Sequence, residues 1–179
     1  MKPVLFSILL VLIFSSKQMA QFPIFVTNIE CVVNQTVFLK GNLNQGAPMD
    51  NLSWAWKITV GCFKSIQKNE FSGNHVFYST TLPPHTSIEI IVKPESRTTN
   101  FSVYAYLLDA NDFSTVPDLK TCIACEADFK RDDDKLLDNR RRVVLTTNND
   151  ANHVIIGVVG AKGLKTGEFT LEISTYDIK

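Results

Sequence analysis

Four kinds of residue in this chain have types and spacings that chemistry uses: an acidic loop, a Cys-x-x-Cys pair, three histidines and two aromatic pairs. Asp109-Ala-Asn111-Asp112, followed by Asp118, Glu126, Asp128 and Asp132 to Asp134, offers carboxylate and amide oxygens on an irregular stretch. Calcium takes six to eight such oxygens, which makes it the candidate ion and Asp109, Asn111, Asp112 and Asp128 its candidate ligands. The spacing is not that of an EF-hand loop, and Lys130, Arg131 and Lys135 supply local counter-charge. A solvated, charge-balanced loop is the plainer alternative.

Cys122-Ile-Ala-Cys125 has redox spacing. Thiol–disulfide catalysis needs a thiolate at a helix N-terminus in a βαβ framework. Here a Pro- and Asp-containing stretch precedes the pair and no helical pattern follows, so a structural disulfide is expected. With Cys31 and Cys62 the chain has four cysteines, which allow three connectivities. A tight Cys122–Cys125 loop is favoured, with Cys31–Cys62 by elimination, although sequence does not fix the pairing. A zinc ribbon would need a second close Cys pair.

His75, His85 and His153 show no metal-ligand spacing, and there is no Gly-x-Ser-x-Gly elbow, His-Glu-x-x-His or P-loop. Structural histidines on a non-enzyme are expected. A small hydrolase with a dispersed site would need one of them to meet an Asp and a Ser or Cys in one cleft. Trp54 and Trp56 share one face of a predicted strand, as do Tyr104 and Tyr106. Such pairs can form a platform for sugars or a partner, or fill a core. Core packing is the better reading for the tryptophans. For the tyrosines the two readings balance, because Phe101 and Val103 already claim the apolar face.

The elements that must position these residues are strands. Phe169, Leu171 and Ile173 alternate with Thr170, Glu172 and Ser174, and Phe101, Val103, Ala105 and Leu107 alternate with the tyrosines. Thr86–Lys93 and His153–Val159 read as strands buried on both faces, with Gly157 marking a close approach. Shorter strands are predicted at Ile24–Ile29, Thr36–Lys40, Trp54–Val60, His75–Thr80 and Arg142–Thr147. Turns fall at Leu82–His85, Thr147–Asp150 and Gly160–Gly167. No stretch keeps a 3.6-residue period. Eight or nine short strands predict an all-β, antiparallel, jelly-roll-like sandwich. The stretch from about 109 to 141 breaks the rhythm and reads as a long insertion, the usual place for function.

Lys2, the apolar run Val4–Phe14 and Ala20 make residues 1–20 a secretory signal. The run is too short to span a ~30 Å hydrocarbon core. A strand segment over 21–50 and a sandwich over 51–179 follow. Removing the signal takes Lys2 and Lys17 from 18 basic residues and leaves 16 against 18 acidic, a net of −2. That argues against nucleic acid, which needs a basic footprint. The composition predicts an exported chain, extracellular or periplasmic, without a membrane span. Asn34, Asn51 and Asn100 head Asn-x-Ser/Thr triplets, which are glycan acceptors if the host is eukaryotic.

The runs Gly73–Tyr78, Leu82-Pro83-Pro84, Ile88–Ile90, Phe101–Tyr106, Val154–Val159 and Gly167–Ile173 together resemble bacterial pre-peptidase C-terminal domains over about 54–175. The resemblance implies a jelly-roll sandwich and an accessory role, akin to the collagen-binding domains of bacterial collagenases. The chain departs from that pattern in its Asp- and Cys-containing insertion, and it is expected to act without an attached peptidase. The function expected is a secreted, non-catalytic module recognising an extracellular protein or glycan. A self-assembling surface protein is the alternative, and a small hydrolase the second.

Overall fold

The computed structural model describes residues 25–49, 52, 61–63, 65–113, 116, 122–129 and 139–178. Residues 1–20, both tryptophans and the predicted strand Trp54–Val60 lie outside them. Apolar side chains at every second position can all be buried only if strands lay one face against another sheet. The described residues do this with ten strands: β1 (Val26–Asn28), β2 (Thr36–Asn42), β3 (Ala47–Pro48), β4 (Asn74–Leu82), β5 (Thr86–Pro94), β6 (Phe101–Asp109), β7 (Cys122–Asp128), β8 (Arg141–Thr146), β9 (Asn152–Gly160) and β10 (Glu168–Asp177). One sheet runs β1-β4-β9-β6-β7, with β3 also on β4; the other runs β2-β10-β5-β8. Among these strands every pairing is antiparallel except β1 with β4. The protein is an all-β sandwich.

Between the sheets lie the alternating sets that the sequence predicts: Phe101, Val103, Ala105 and Leu107 from β6, Ile88, Ile90 and Val92 from β5, and Phe169, Leu171 and Ile173 from β10. Phe169 sits opposite Gly41. A Cβ at 41 would come within 2.4 Å of its ring, so only glycine leaves room.

A second core covers the outer face of the larger sheet. Phe77, Tyr104, Tyr106, Leu108, Ile155 and Val159 form its floor, and Leu52, Phe63, Phe71 and Val116 lie over them. This makes β9 buried on both faces, as predicted. For β5 the prediction fails: Ser87, Glu89, Ile91 and Lys93 are only partly buried, because nothing among the described residues covers the outer face of the smaller sheet.

Two boundaries also change. The stretch read as an insertion contains β7, paired to β6, with a register shift between Leu107 and Leu108. Cys-Ile-Ala-Cys-Glu-Ala-Asp lacks the β-branched alternation that marks a strand, and the bulge breaks what pattern there is. The segment 21–50 is divided between the sheets, β1 and β3 joining β4 and β2 joining β10.

Candidate functional site

The predicted tyrosine platform is a covered layer. Alternation along β6 turns Tyr104 and Tyr106 to the outer face, and both are 0% exposed. Gly157 lies opposite Tyr104, and a Cβ there would meet its ring at 2.3 Å. Phe63 and Phe71 close over the layer edge-on, with Phe63 4.4 Å from Phe71 and 5.0 Å from Tyr104 between ring centres. Each aromatic ring carries a large apolar area, and the overlying segment removes that area from water. Neither tyrosine is available to stack a ligand in this state, which corrects the platform reading.

His75 is built into the same layer. Its Nε2–H donates to the Phe71 carbonyl at 3.0 Å, because a carbonyl can only accept. That tautomer leaves Nδ1 to accept from the Tyr104 hydroxyl, also at 3.0 Å. Burial pushes the imidazole down to about 4, against the weaker upward effect of the Phe71 bond. Burial likewise raises Tyr104 far above its ordinary value, and raises Tyr106, to which the nearby Cys122 adds. His153 leans on Phe113, ring centres 5.9 Å apart. Burial lowers its proton affinity and the charge of Asp112 partly restores it. His85 sits in the turn after β4 at φ 53°, its backbone N–H on the Asn148 carbonyl.

The cysteines pair differently from the favoured scheme. Cys62 is bonded to Cys125 with the Cα atoms 5.5 Å apart, and Cys31 and Cys122 are free thiols. Cys122 and Cys125 lie three residues apart on one extended strand, about 10 Å of chain before the bulge shortens it. Disulfides need Cα atoms within about 7 Å, and the covering segment brings Cys62 directly over Cys125. Cys31 packs on the opposite face of the sheet, in the inter-sheet core. Burial raises both free thiols, Cys122 to about 11, and the Cys122 thiol donates to the Ala124 carbonyl at 3.0 Å. Neither is an activated nucleophile.

The four candidate calcium ligands do not converge. Asp109, Asn111 and Asp112 share the turn after β6, closed by the Asp112 N–H on the Asp109 carbonyl at 2.8 Å. Asp128 lies opposite Val103 at the other end of β6, six residues from Asp109, or about 20 Å of strand. There its carboxylate accepts from the Arg142 backbone N–H at 3.0 Å. Spacing in sequence misled here because β7 folds back along β6. Among the described residues no group of three or more His, Cys, Asp or Glu is placed to hold a metal. Asp118 and Asp132 to Asp134 lie outside those residues.

The face left open is that of the smaller sheet, which the sequence reading missed. Register places Phe38, Glu172, Ile91 and Arg142 in one row across β2, β10, β5 and β8, and Thr36, Ser174, Glu89 and Val144 in the next. Phe38 is 63% exposed and Tyr176, further along β10, is 46% exposed. The charges on this face are matched: Arg142 with Glu89, Lys93 with Glu172, and Lys40 with Glu95. Thr36 and Ser174 hydroxyls bond at 2.8 Å, and Thr170 donates to Glu95 at 2.7 Å. The result is a lattice of paired charges from which Phe38 and Tyr176 stand exposed. Its signal in the sequence was an apolar residue out of phase on each strand: Phe38, Ile91, Val144 and Tyr176.

No protein-family profile matches the chain, and no curated protein matches it. Similar solved structures include the pre-peptidase C-terminal domain of a collagenase from Bacillus anthracis, at 14% identity and TM-score 0.40, covering 86% of this chain and 96% of that one. Another is PliG of Aeromonas hydrophila, a periplasmic inhibitor of g-type lysozyme, at 12% identity and TM-score 0.37, with 84% and 96% covered. A third is CorA of Methylomicrobium album BG8, a surface-associated copper-binding protein, at 8% identity and TM-score 0.45, with 83% and 98% covered.

Proposed function

We propose that this protein is an exported, non-catalytic binding module that recognises an extracellular protein or glycan on the open face of its four-stranded sheet. The observation that carries the reading is the asymmetry of the sandwich. One outer face is sealed beneath a second aromatic core, while the other presents Phe38, Ile91, Val144 and Tyr176 among three ion pairs. Exposed aromatics on a rigid sheet give contact area at low entropic cost, and polar neighbours around them fix orientation. The histidines support a non-catalytic role, since His75 spends both ring nitrogens on structure. No helix among the described residues is long and apolar enough to cross a membrane, and the basic-start apolar leader supports export.

The test is saturable binding to immobilised panels of matrix proteins and of glycans, with an Ile91→Ser/Tyr176→Ala double variant as control. The wild type should bind a member of one panel. The variant should bind it at least about tenfold more weakly, the loss of about 1.4 kcal/mol, while keeping its circular dichroism spectrum. Equal binding by the variant would overturn the reading, as would no saturable binding on either panel.

A further inference from the structure

The two edges of the four-stranded sheet are finished differently. At β8, the Asp128 carboxylate takes the Arg142 backbone N–H, so that edge is capped from the neighbouring β7. At β2, β10 is the only strand paired, and the outer backbone edge has no partner strand among the described residues. An open edge is a template for another strand, and proteins blunt it with lysine or other charges, proline, a bulge, an inward charge or a short strand. β2 is seven residues long, Thr-Val-Phe-Leu-Lys-Gly-Asn, with no proline, no register shift and no inward charge. Its one charge, Lys40, is directed to the solvent face, where it pairs with Glu95.

The residue pattern of this edge is symmetric about Phe38. Val37 and Leu39 flank it on the core side, both only partly buried, and Thr36 and Lys40 flank it on the solvent side. We infer that β2 pairs antiparallel with β2 of a second copy of this chain, about a twofold axis through Phe38, joining two four-stranded sheets into one. In that register Phe38 stands opposite Phe38 of the second copy. Val37 stands opposite its Leu39 and completes the cover of the core edge. Thr36 stands opposite its Lys40, so no like charges meet. Directly opposed aromatic and aliphatic pairs are the stabilising unit of a sheet. A slip by one residue would set core-side positions against solvent-side ones. A register centred on Lys40 would oppose two ammonium groups. The inference shares Phe38 with the binding reading of the face, but that reading is tested at Ile91 and Tyr176 and this one at Phe38, so the two fail separately.

Sedimentation of the purified protein over a concentration series tests it. The wild type should show a monomer–dimer equilibrium that stops at the dimer, because a twofold interface closes on itself. Phe38→Glu and Phe38→Lys should each weaken the dimer at least about tenfold by opposing like charges. An equimolar mixture of the two should restore a mixed dimer. Phe38 is mostly exposed, so each variant should keep the wild-type circular dichroism spectrum, and Thr36→Cys paired with Lys40→Cys of a second copy gives a second readout as an intermolecular disulfide. A monomer at all concentrations, an open-ended ladder, a dimer indifferent to both charges, or a mixture that stays monomeric would each overturn the inference.

Discussion

Above pH 6.5 the imidazole of His75 is neutral both inside the fold and in the unfolded chain. Below that pH the unfolded chain takes up a proton that the folded protein refuses, because burial holds the folded value at about 4. The contribution of His75 to stability is therefore whole above pH 6.5 and lost progressively as pH falls to about 4. A difference of that size corresponds to about 3 kcal/mol. Denaturant unfolding from pH 7 to pH 4 should show this loss in the wild type, and His75→Gln should flatten that part of the curve. Parallel curves for the two proteins would show that the ring is not held neutral in the core. Single residues also mark what was legible in the sequence. Gly157 announced a close approach, and the approaching group is the ring of Tyr104. The outward turn of Tyr104 and Tyr106 was equally legible from alternation along β6. What covers them was not, since Phe63 and Phe71 come from a segment with no strand period that lies across the sheet only through tertiary contact.

At the scale of elements, the covering segment and β7 are tied by Cys62–Cys125, which closes a separation of 63 residues. Chain-entropy arguments give a crosslink over a loop of that length about 4 kcal/mol of stabilisation. Peptide mapping under non-reducing conditions should recover the Cys62–Cys125 peptide, and Cys62→Ser/Cys125→Ser should lower stability by a few kcal/mol. Recovery of a Cys122–Cys125 peptide, or a double variant as stable as the wild type, would contradict this arrangement. Strands with clean alternation or a continuous apolar run were legible within a residue or two: β6, β9 and β10 each extend the predicted run slightly. β7 was not, because its alanines and cysteines carry little hydrophobic contrast and its bulge resets the phase midway. That one missed strand explains two further misses. It carries Asp128 away from the turn at Asp109–Asp112, and it presents Cys125 rather than Cys122 to Cys62.

Across the whole molecule, the two outer faces of the sandwich have opposite fates. The larger sheet keeps its aromatics under a lid of its own chain, and the smaller sheet leaves its own exposed among paired charges. Sequence alternation says which residues leave the inter-sheet core. It cannot say which outer face a distant segment will cover, and so it pointed to Tyr104 and Tyr106 rather than to Phe38 and Tyr176. Hydroxyl-radical footprinting of the oxidised native protein, read by mass spectrometry residue by residue, tests this assignment most directly. Phe38 and Tyr176 should be modified rapidly, while Tyr104, Tyr106 and Phe71 stay protected until the protein is unfolded. Modification of Tyr104 and Tyr106 at the rate of Tyr176 in the native protein would contradict the account and return the binding face to the larger sheet.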